Sequence, residues 1–373
     1  MAPRPTLVVF LGGLGGSPIE EMVGGACCAA ALDSIEAALG SEAFAGAILV
    51  TDDHGCPSLP GVTLHFDDGP FHFGHRLAGV LRRYSPDAVV YMGGGSVPLF
   101  TGEDFAAVVR ALERDDVLVT NNLFSSDMAA FRANGAVLTT VEAVGNDNAL
   151  SRALAGAGLA VEALPRTVAS QFDIDGPPDL AVLSLTGLGG PRLHSYVRGL
   201  DLDLTRYRQV LPLLVDPRAQ VVIAGRVGSH AWRYLERETA CRVRLFAEER
   251  GMQADGRALS GMVRSLLGLF LDAVGVRRFF AALAELGDAA LIDTRVLLAH
   301  LKIDASRADR FLSDMGRWQE VQEPTLREFT RAAMEAPIPV LLGGHSLVSG
   351  GLMALNEFAW QEQERADNLE PRT

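Results

Sequence analysis

Lysine is nearly missing from this 373-residue chain: Lys302 is the one example, and arginine supplies the rest of the 33 basic residues. Against 46 acidic residues the formal net charge is −13. Affinity for a nucleic-acid backbone comes mainly from Lys and Arg displacing condensed counterions, so this balance excludes generic DNA or RNA binding and leaves only a local arginine patch. Cysteine is scarce as well. Cys27, Cys28, Cys56 and Cys241 show neither C-x-x-C spacing nor paired histidines, which speaks against a zinc site or a disulfide framework and for a reducing, cytoplasmic setting. No uncharged apolar run reaches the roughly 18 residues of a membrane span, so a soluble chain without a membrane partner is expected. The apolar stretch 6–16 runs into Pro18, Glu20 and Glu21, acids where a signal-peptide cleavage region would be small and neutral, and therefore reads as a buried strand.

What is present is the composition of a folded protein, 48% hydrophobic and 21% charged, long enough for two cores. Short apolar runs at 6–11, 47–51, 62–66, 88–92 and 117–120 alternate with helical patterns at 18–39, 74–84 and 103–112, the rhythm of a mostly parallel α/β sheet flanked by helices. Ser17 is placed to cap the first helix, with Pro18 in its first turn. The composition shifts near Gly187-Leu188-Gly189-Gly190-Pro191, which predicts a Rossmann-like domain over 1–187 and a helix-rich α/β domain over 188–373. In the second domain, strands are expected at 220–224, 242–246, 290–293 and 340–342, with a last helix to about 360 and a fraying polar tail.

Each polar cluster in this pattern follows a strand's carboxyl end, where open α/β sheets bind ligands. The turn after the first strand, Leu11-Gly12-Gly13-Leu14-Gly15-Gly16, either cradles an anion at a helix N-terminus or is a plain tight turn. It lacks the Gly-Lys-Ser/Thr of a P-loop, and Pro18 stands where a dinucleotide fingerprint needs its third glycine. Asp52 and Asp53 close the second strand, Gly94, Gly95 and Ser96 follow the strand 88–92, and Asn121 and Asn122 follow 117–120, with side chains suited to ribose, base or sugar hydroxyls or to turn formation. In the second half, Gly343-Gly344-His345-Ser346-Leu347-Val348-Ser349-Gly350-Gly351 lies between a strand and a helix. Gly344, His345, Ser346 and Ser349 are there candidates for anion binding or acid/base work. Glu248-Glu249-Arg250 and Asp293-Thr294-Arg295 face the same side or form surface ion pairs.

Three segments, the glycine-rich turn 12–16, the stretch from Asp87 through Gly93-Gly94-Gly95-Ser96-Val97-Pro98 to Thr101, and Gln171-Phe172-Asp173-Ile174-Asp175-Gly176-Pro177-Pro178-Asp179-Leu180, occur in an order that carries a resemblance. Over about residues 5–185 the chain resembles nucleotidyltransferases with a glycosyltransferase-A-like fold, in particular the molybdenum-cofactor and phospholactate guanylyltransferase group. The resemblance implies a nucleoside triphosphate donor, a phosphorylated small-molecule acceptor, release of pyrophosphate, and Mg²⁺. It associates Asp173 and Asp175 with the metal; spaced by two in an extended segment, they would share one face, with Asp52 or Asp53 joining them across the sheet edge. The family's metal-binding acid two residues before the proline is Ser96 here, and its basic residue in the opening turn has no counterpart, so Arg76, and behind it Arg82 and Arg83, are the candidate sources of positive charge. Two other readings stay open: a nucleotide- or sugar-nucleotide-binding module that has lost its chemistry, and an NAD-dependent oxidoreductase with the glycine turn on the pyrophosphate and Asp52 or Asp53 on the ribose. Residues 190–373 resemble no family.

Overall fold

The computed structural model of the chain describes residues 4–12, 15–57, 59–67 and 69–369. Seven short strands of the first half join in one sheet: β1 (Thr6–Leu11), β2 (Gly46–Thr51), β3 (Val62–Phe66), β4 (Ala88–Gly93), β5 (Val117–Thr120), β6 (Met128–Arg132) and β7 (Ala160–Ala163). Their order is β3-β2-β1-β4-β6-β5-β7. All pairs are parallel except those of β6, which runs antiparallel to β4 and β5. Alternate residues of β1 feed opposite cores. Leu7 and Val9 pack with Ile35 and Phe105, and Val8 packs with Phe73, Leu77 and Phe131, as the period of two demands in a strand covered on both faces.

The helix Pro18–Gly40 starts as its sequence dictates: Ser17 caps it, and the Ser17 hydroxyl donates to the Glu20 carboxylate at 2.7 Å. By length and composition it is the one described helix able to cross a membrane. Here its Val23, Ala26, Ala30, Ile35 and Ala38 are buried in the core.

A second, all-parallel sheet is built from β8 (Gln220–Gly225), β9 (Arg242–Ala247), β10 (Ala289–Asp293) and β11 (Val340–Gly343), in the order β11-β10-β8-β9. Val222, Ala224, Ile292 and Leu342 pack on one face under the helices Val276–Leu286 and Pro324–Met334. Val221, Ile223, Leu291 and Leu341 on the other face join Ile19, Val23, Phe172, Leu180 and Leu352 in one cluster. That cluster contains residues from both sides of position 187.

The α/β class, the mostly parallel sheet and the helix-rich second part are as the sequence predicts. Two strands are additional, β6 and β7, and the last helix, Gly350–Leu369, runs through the expected fraying tail. Its polar end is sustained by spaced pairs on its own surface, Arg365 with Glu362 at 2.6 Å and Gln363 with Asp367 at 3.0 Å.

Both sheets reverse their winding once. From β1 the first sheet grows outward through β2 and β3, then resumes on the other flank with β4; the second grows from β8 to β9, then resumes on the other flank with β10 and β11. Each reversal leaves a crevice at the strands' carboxyl ends. The two crevices open into a single cleft.

Candidate functional site

The cleft consists of two adjoining cavities of about 1040 and 850 Å³. Both are lined by Leu11 and Gly12 after β1, Asp52 after β2, Gly93 at the end of β4, Asp175, and Arg226 after β8. The smaller cavity adds Gly15, Asp53, Gly94, Gly95, Ser96, Asp127, Asp173 and His345.

The glycines after β4 are explained by how closely two backbone segments approach. Ile174 donates its amide to the Gly95 carbonyl at 2.9 Å, and Ser96 pairs with Asp173 in an isolated antiparallel bridge. A Cβ at Gly95 would sit 2.9 Å from the Ile174 carbonyl oxygen, and one at Gly94 would sit 2.7 Å from the Leu11 side chain. Val97 follows at φ 40°, a left-handed conformation that a β-branched residue rarely adopts, so the turn is held under strain by its surroundings. This pairing buries Ile174 in the core and turns its neighbours Asp173 and Asp175 to the cleft. Ser96 occupies the place across from Asp173.

Carboxylates accumulate here with little to neutralise them. Asp173 titrates well above the usual carboxylate range because it is removed from water and stands beside the charge of Asp175, with Asp127 and Asp179 adding to the effect. Burial, with the charge of Asp175 and Asp147, pushes Asp127 to about 7 against the hydrogen bond from Asn121. Asp179 is pushed to about 8 by burial and Asp175, although it accepts the amides of Asp175 and Gly176 at 2.8 and 2.9 Å.

These shifts fix the sign of a pH effect. The folded chain keeps protons on Asp127 and Asp179 that the unfolded chain releases near the ordinary value, so this contribution to stability is complete at low pH and lost as pH rises through about 7 to 8. His345, lowered to about 4 by burial and by Arg226, acts in the opposite direction below its ordinary value. The clean window is therefore about pH 6.5 to 8.5, where the melting temperature in a chelator is expected to fall by about 2 °C or more. A flat profile in that window would show that the carboxylates are already ionised.

Other candidate residues are placed as follows. Asp52 lies so close to Gly12 that a Cβ there would meet its Oδ1 at 2.4 Å. Asp53 lines the cavity while accepting the Gly55 amide at 2.8 Å. Gly12, Gly15 and Gly16 are in the turn after β1, and Gly13 lies outside the described residues. Asn121 is consumed by scaffolding: its amide donates to Asp127 at 2.9 Å and its carbonyl accepts the Met128 amide at 3.2 Å. Asn122 accepts the Phe124 amide at 3.2 Å, an Asx turn beside a small cavity. Arg76 reaches the cleft, but its guanidinium is held by Asp67 at 2.6 Å and by the Gly69 carbonyl at 3.0 Å. Arg82 pairs with Glu142 on the surface and Arg83 stacks on Tyr84, so neither joins it.

From the string 343–351, Gly344 and His345 line the cleft, and the rest forms a joint between the halves. Ser346 is fully buried and Ser349 donates to the His345 carbonyl at 2.9 Å. A Cβ at Gly350 would lie 2.3 Å from the Gln171 carbonyl, so this glycine permits the contact that seats the segment bearing Asp173 and Asp175.

The second sheet adds a basic wall. Arg226 lies between the halves, its Nε donating to Asp293 at 2.6 Å and its Nη2 at 3.1 Å, with Asp293 fully buried. Arg295 forks onto Asp314 at 2.9 and 2.6 Å. Arg307 and Arg310 line the larger cavity beside it. Arg307 and Arg310 do not stand out in the sequence because an arginine on a helix reads as a solvated face, and Arg226, between Gly225 and Gly228, because its partner Asp293 lies 67 positions away.

No family model and no curated protein matches the chain. Among solved structures it is similar to a protein assigned as a nucleotide-diphospho-sugar transferase from Desulfovibrio desulfuricans G20, at 15% identity over 54% of this chain and 100% of that one, with a TM-score of 0.38. It is also similar to the bifunctional IspDF from Campylobacter jejuni, at 10% identity and a TM-score of 0.34, covering 44% of this chain and 51% of that one. A third is Rv0371C from Mycobacterium tuberculosis H37Rv, solved as a complex with manganese, at 16% identity and a TM-score of 0.32, covering 44% of this chain and 88% of that one.

Proposed function

We propose that the protein is a nucleotidyltransferase whose cleft binds a nucleoside triphosphate and a phosphorylated small molecule. An oxygen of the acceptor phosphate attacks the α-phosphorus of the donor, a new phosphorus–oxygen bond forms, and the bond to the β-phosphate breaks to release pyrophosphate. The observation that supports this reading is the pair Asp173 and Asp175, presented to the cleft by the zipped backbone of Gly95, Ser96 and Ile174.

The donor set suits Mg²⁺. Among the described residues no three His, Cys, Asp or Glu side chains converge to hold a metal, and Mg²⁺ is characteristically bound by one or two carboxylates plus substrate phosphates and water. Burial, and then repulsion from Asp175, hold the proton on Asp173, and a divalent cation would offset both. Held by Asp173 and Asp175, the cation would supply positive charge to neutralise what develops on the transferred group. The chain's own part is to orient: Gly12 and Gly94 leave the floor of the cleft open, and Asp52 lies beside the first of them.

Ser96 in place of an acid favours a second reading, a binding module without turnover. A thermal-shift panel of GTP, CTP, ATP, UTP and NAD, each with and without Mg²⁺ or Mn²⁺, separates the two, because a ligand of the folded state raises the melting temperature. A metal-dependent shift with one triphosphate is expected. Metal-independent binding would favour the module, and a response to NAD alone or to nothing would remove the transferase.

A further inference from the structure

The glycine turn after β1 offers a phosphate no cation, and Arg76 is already committed to Asp67. Across the cleft three arginines gather, of which Arg295 is held by Asp314. Arg295 stands in the first turn of the helix Thr294–Leu301, and Arg307 and Arg310 belong to the helix Arg307–Asp314; all three line the larger cavity together with Gly12 and Asp175. Arg310 has no carboxylate partner among the described residues, and its Nη1 donates to the Ala305 carbonyl at 2.9 Å. Burial, and then the charges of Arg295 and Arg307, work against its protonated form. The fold therefore gathers like charges at a crevice where an open parallel sheet binds ligands, and leaves Arg310 without an ion pair among the described residues, Asp314 and Asp304 offsetting only part of the effect.

We propose that Arg310, with Arg307 and Arg295, forms a phosphate-binding wall that the second sheet contributes to the cleft. The assignment rests on the transferase reading for its choice of ligand, and it supplies the positive charge that the first sheet's own turn lacks. Planar guanidinium groups suit this task, since each offers paired donors to a phosphate's oxygens. The phosphate has two sources in that reaction, the tail of the triphosphate and the phosphate of the acceptor. Asp52 and Asp175 line the same cavity, so a phosphorylated ligand there would meet carboxylates on one side and the arginines on the other.

Titration calorimetry of the full chain in a chelator, with inorganic phosphate as the probe, tests the wall apart from the metal. Arg310→Gln is expected to weaken phosphate binding about tenfold, which is ~1.4 kcal/mol. Arg307→Gln, at an exposed position, should weaken it in the same direction with a melting curve as the check on the fold, and Arg310→Lys should restore part of the loss. Phosphate binding that is undetectable in the unaltered chain, or that both glutamine variants leave as it is in the unaltered chain, overturns the proposal. To separate the sources, the same variants are titrated with the triphosphate, its monophosphate and glycerol 3-phosphate. A loss confined to the triphosphate places its tail on the wall, and a loss confined to glycerol 3-phosphate places the acceptor there. Phosphate affinity that depends on Arg310 in a chain without metal-dependent nucleotide binding keeps the wall and removes the transferase. Metal-dependent nucleotide binding with phosphate affinity indifferent to Arg310 does the reverse.

Discussion

Asp173→Asn is expected to lower metal-dependent pyrophosphate release by about 10³-fold, ~4 kcal/mol of transition-state stabilisation, and to raise the melting temperature of the metal-free chain. The two effects have one cause. The carboxylate is kept from water beside Asp175 and near Asp127 and Asp179, so its charge is a liability to the fold unless a cation is present. The amide keeps the shape, and the backbone bridge to Ser96 does not use the side chain, so the segment stays seated while the repulsion is removed. Function lost with stability gained is the pattern of a site held under electrostatic strain. Release measured with a coupled pyrophosphate assay, alongside a melting curve, reads both quantities. Unchanged turnover would remove Asp173 from the site, and a large drop in melting temperature would make it a structural residue instead.

The second large effect concerns the joint between the sheets. Asp293→Asn is expected to destabilise the chain by about 3 kcal/mol, seen as a lower urea midpoint at constant slope. Burial alone would raise this carboxyl, but Arg226 outweighs it and holds the group below the usual range. Asp293 is fully buried, accepts from the Arg226 guanidinium at 2.6 Å and from the Arg295 amide at 3.2 Å, and its loss strands Arg226 between the two halves. Removing both charges, as Arg226→Met with Asp293→Leu, should cost less than the single change, because the desolvation of the pair disappears along with its attraction. Equal or greater loss in the double variant would show that the pair contributes more than it costs.

The strands were legible where burial on both faces leaves a continuous apolar run, as in β1, β4 and β8. β7 was not, because it is an edge strand whose Val161 and Glu162 are exposed. β6 was missed because Met128–Arg132 follows a polar turn and carries two alanines and no β-branched residue, and nothing local marks its antiparallel direction. In the site, the spacing of two that puts Asp173 and Asp175 on one side survives folding because it is a property of extended backbone. The fate of Asn121 did not show in the sequence, since the same amide that suits a ribose also bridges Asp127 and Met128. Arg310 lies 135 positions from Asp175 along the chain; only the packing of the second sheet against the segment 171–178 makes them neighbours across a cavity.

The apolar cluster beneath the cleft, in which Val23, Phe172, Leu180, Ile223, Leu291 and Leu352 are buried together, leaves little freedom for the halves to swing apart. Interfaces of that kind behave as the interior of one cooperative unit, in contrast to the polar, mobile seams found between independently folding domains. Melting of either sheet would strip the cover from the other, so a change that loosens one half is expected to lower the stability of both.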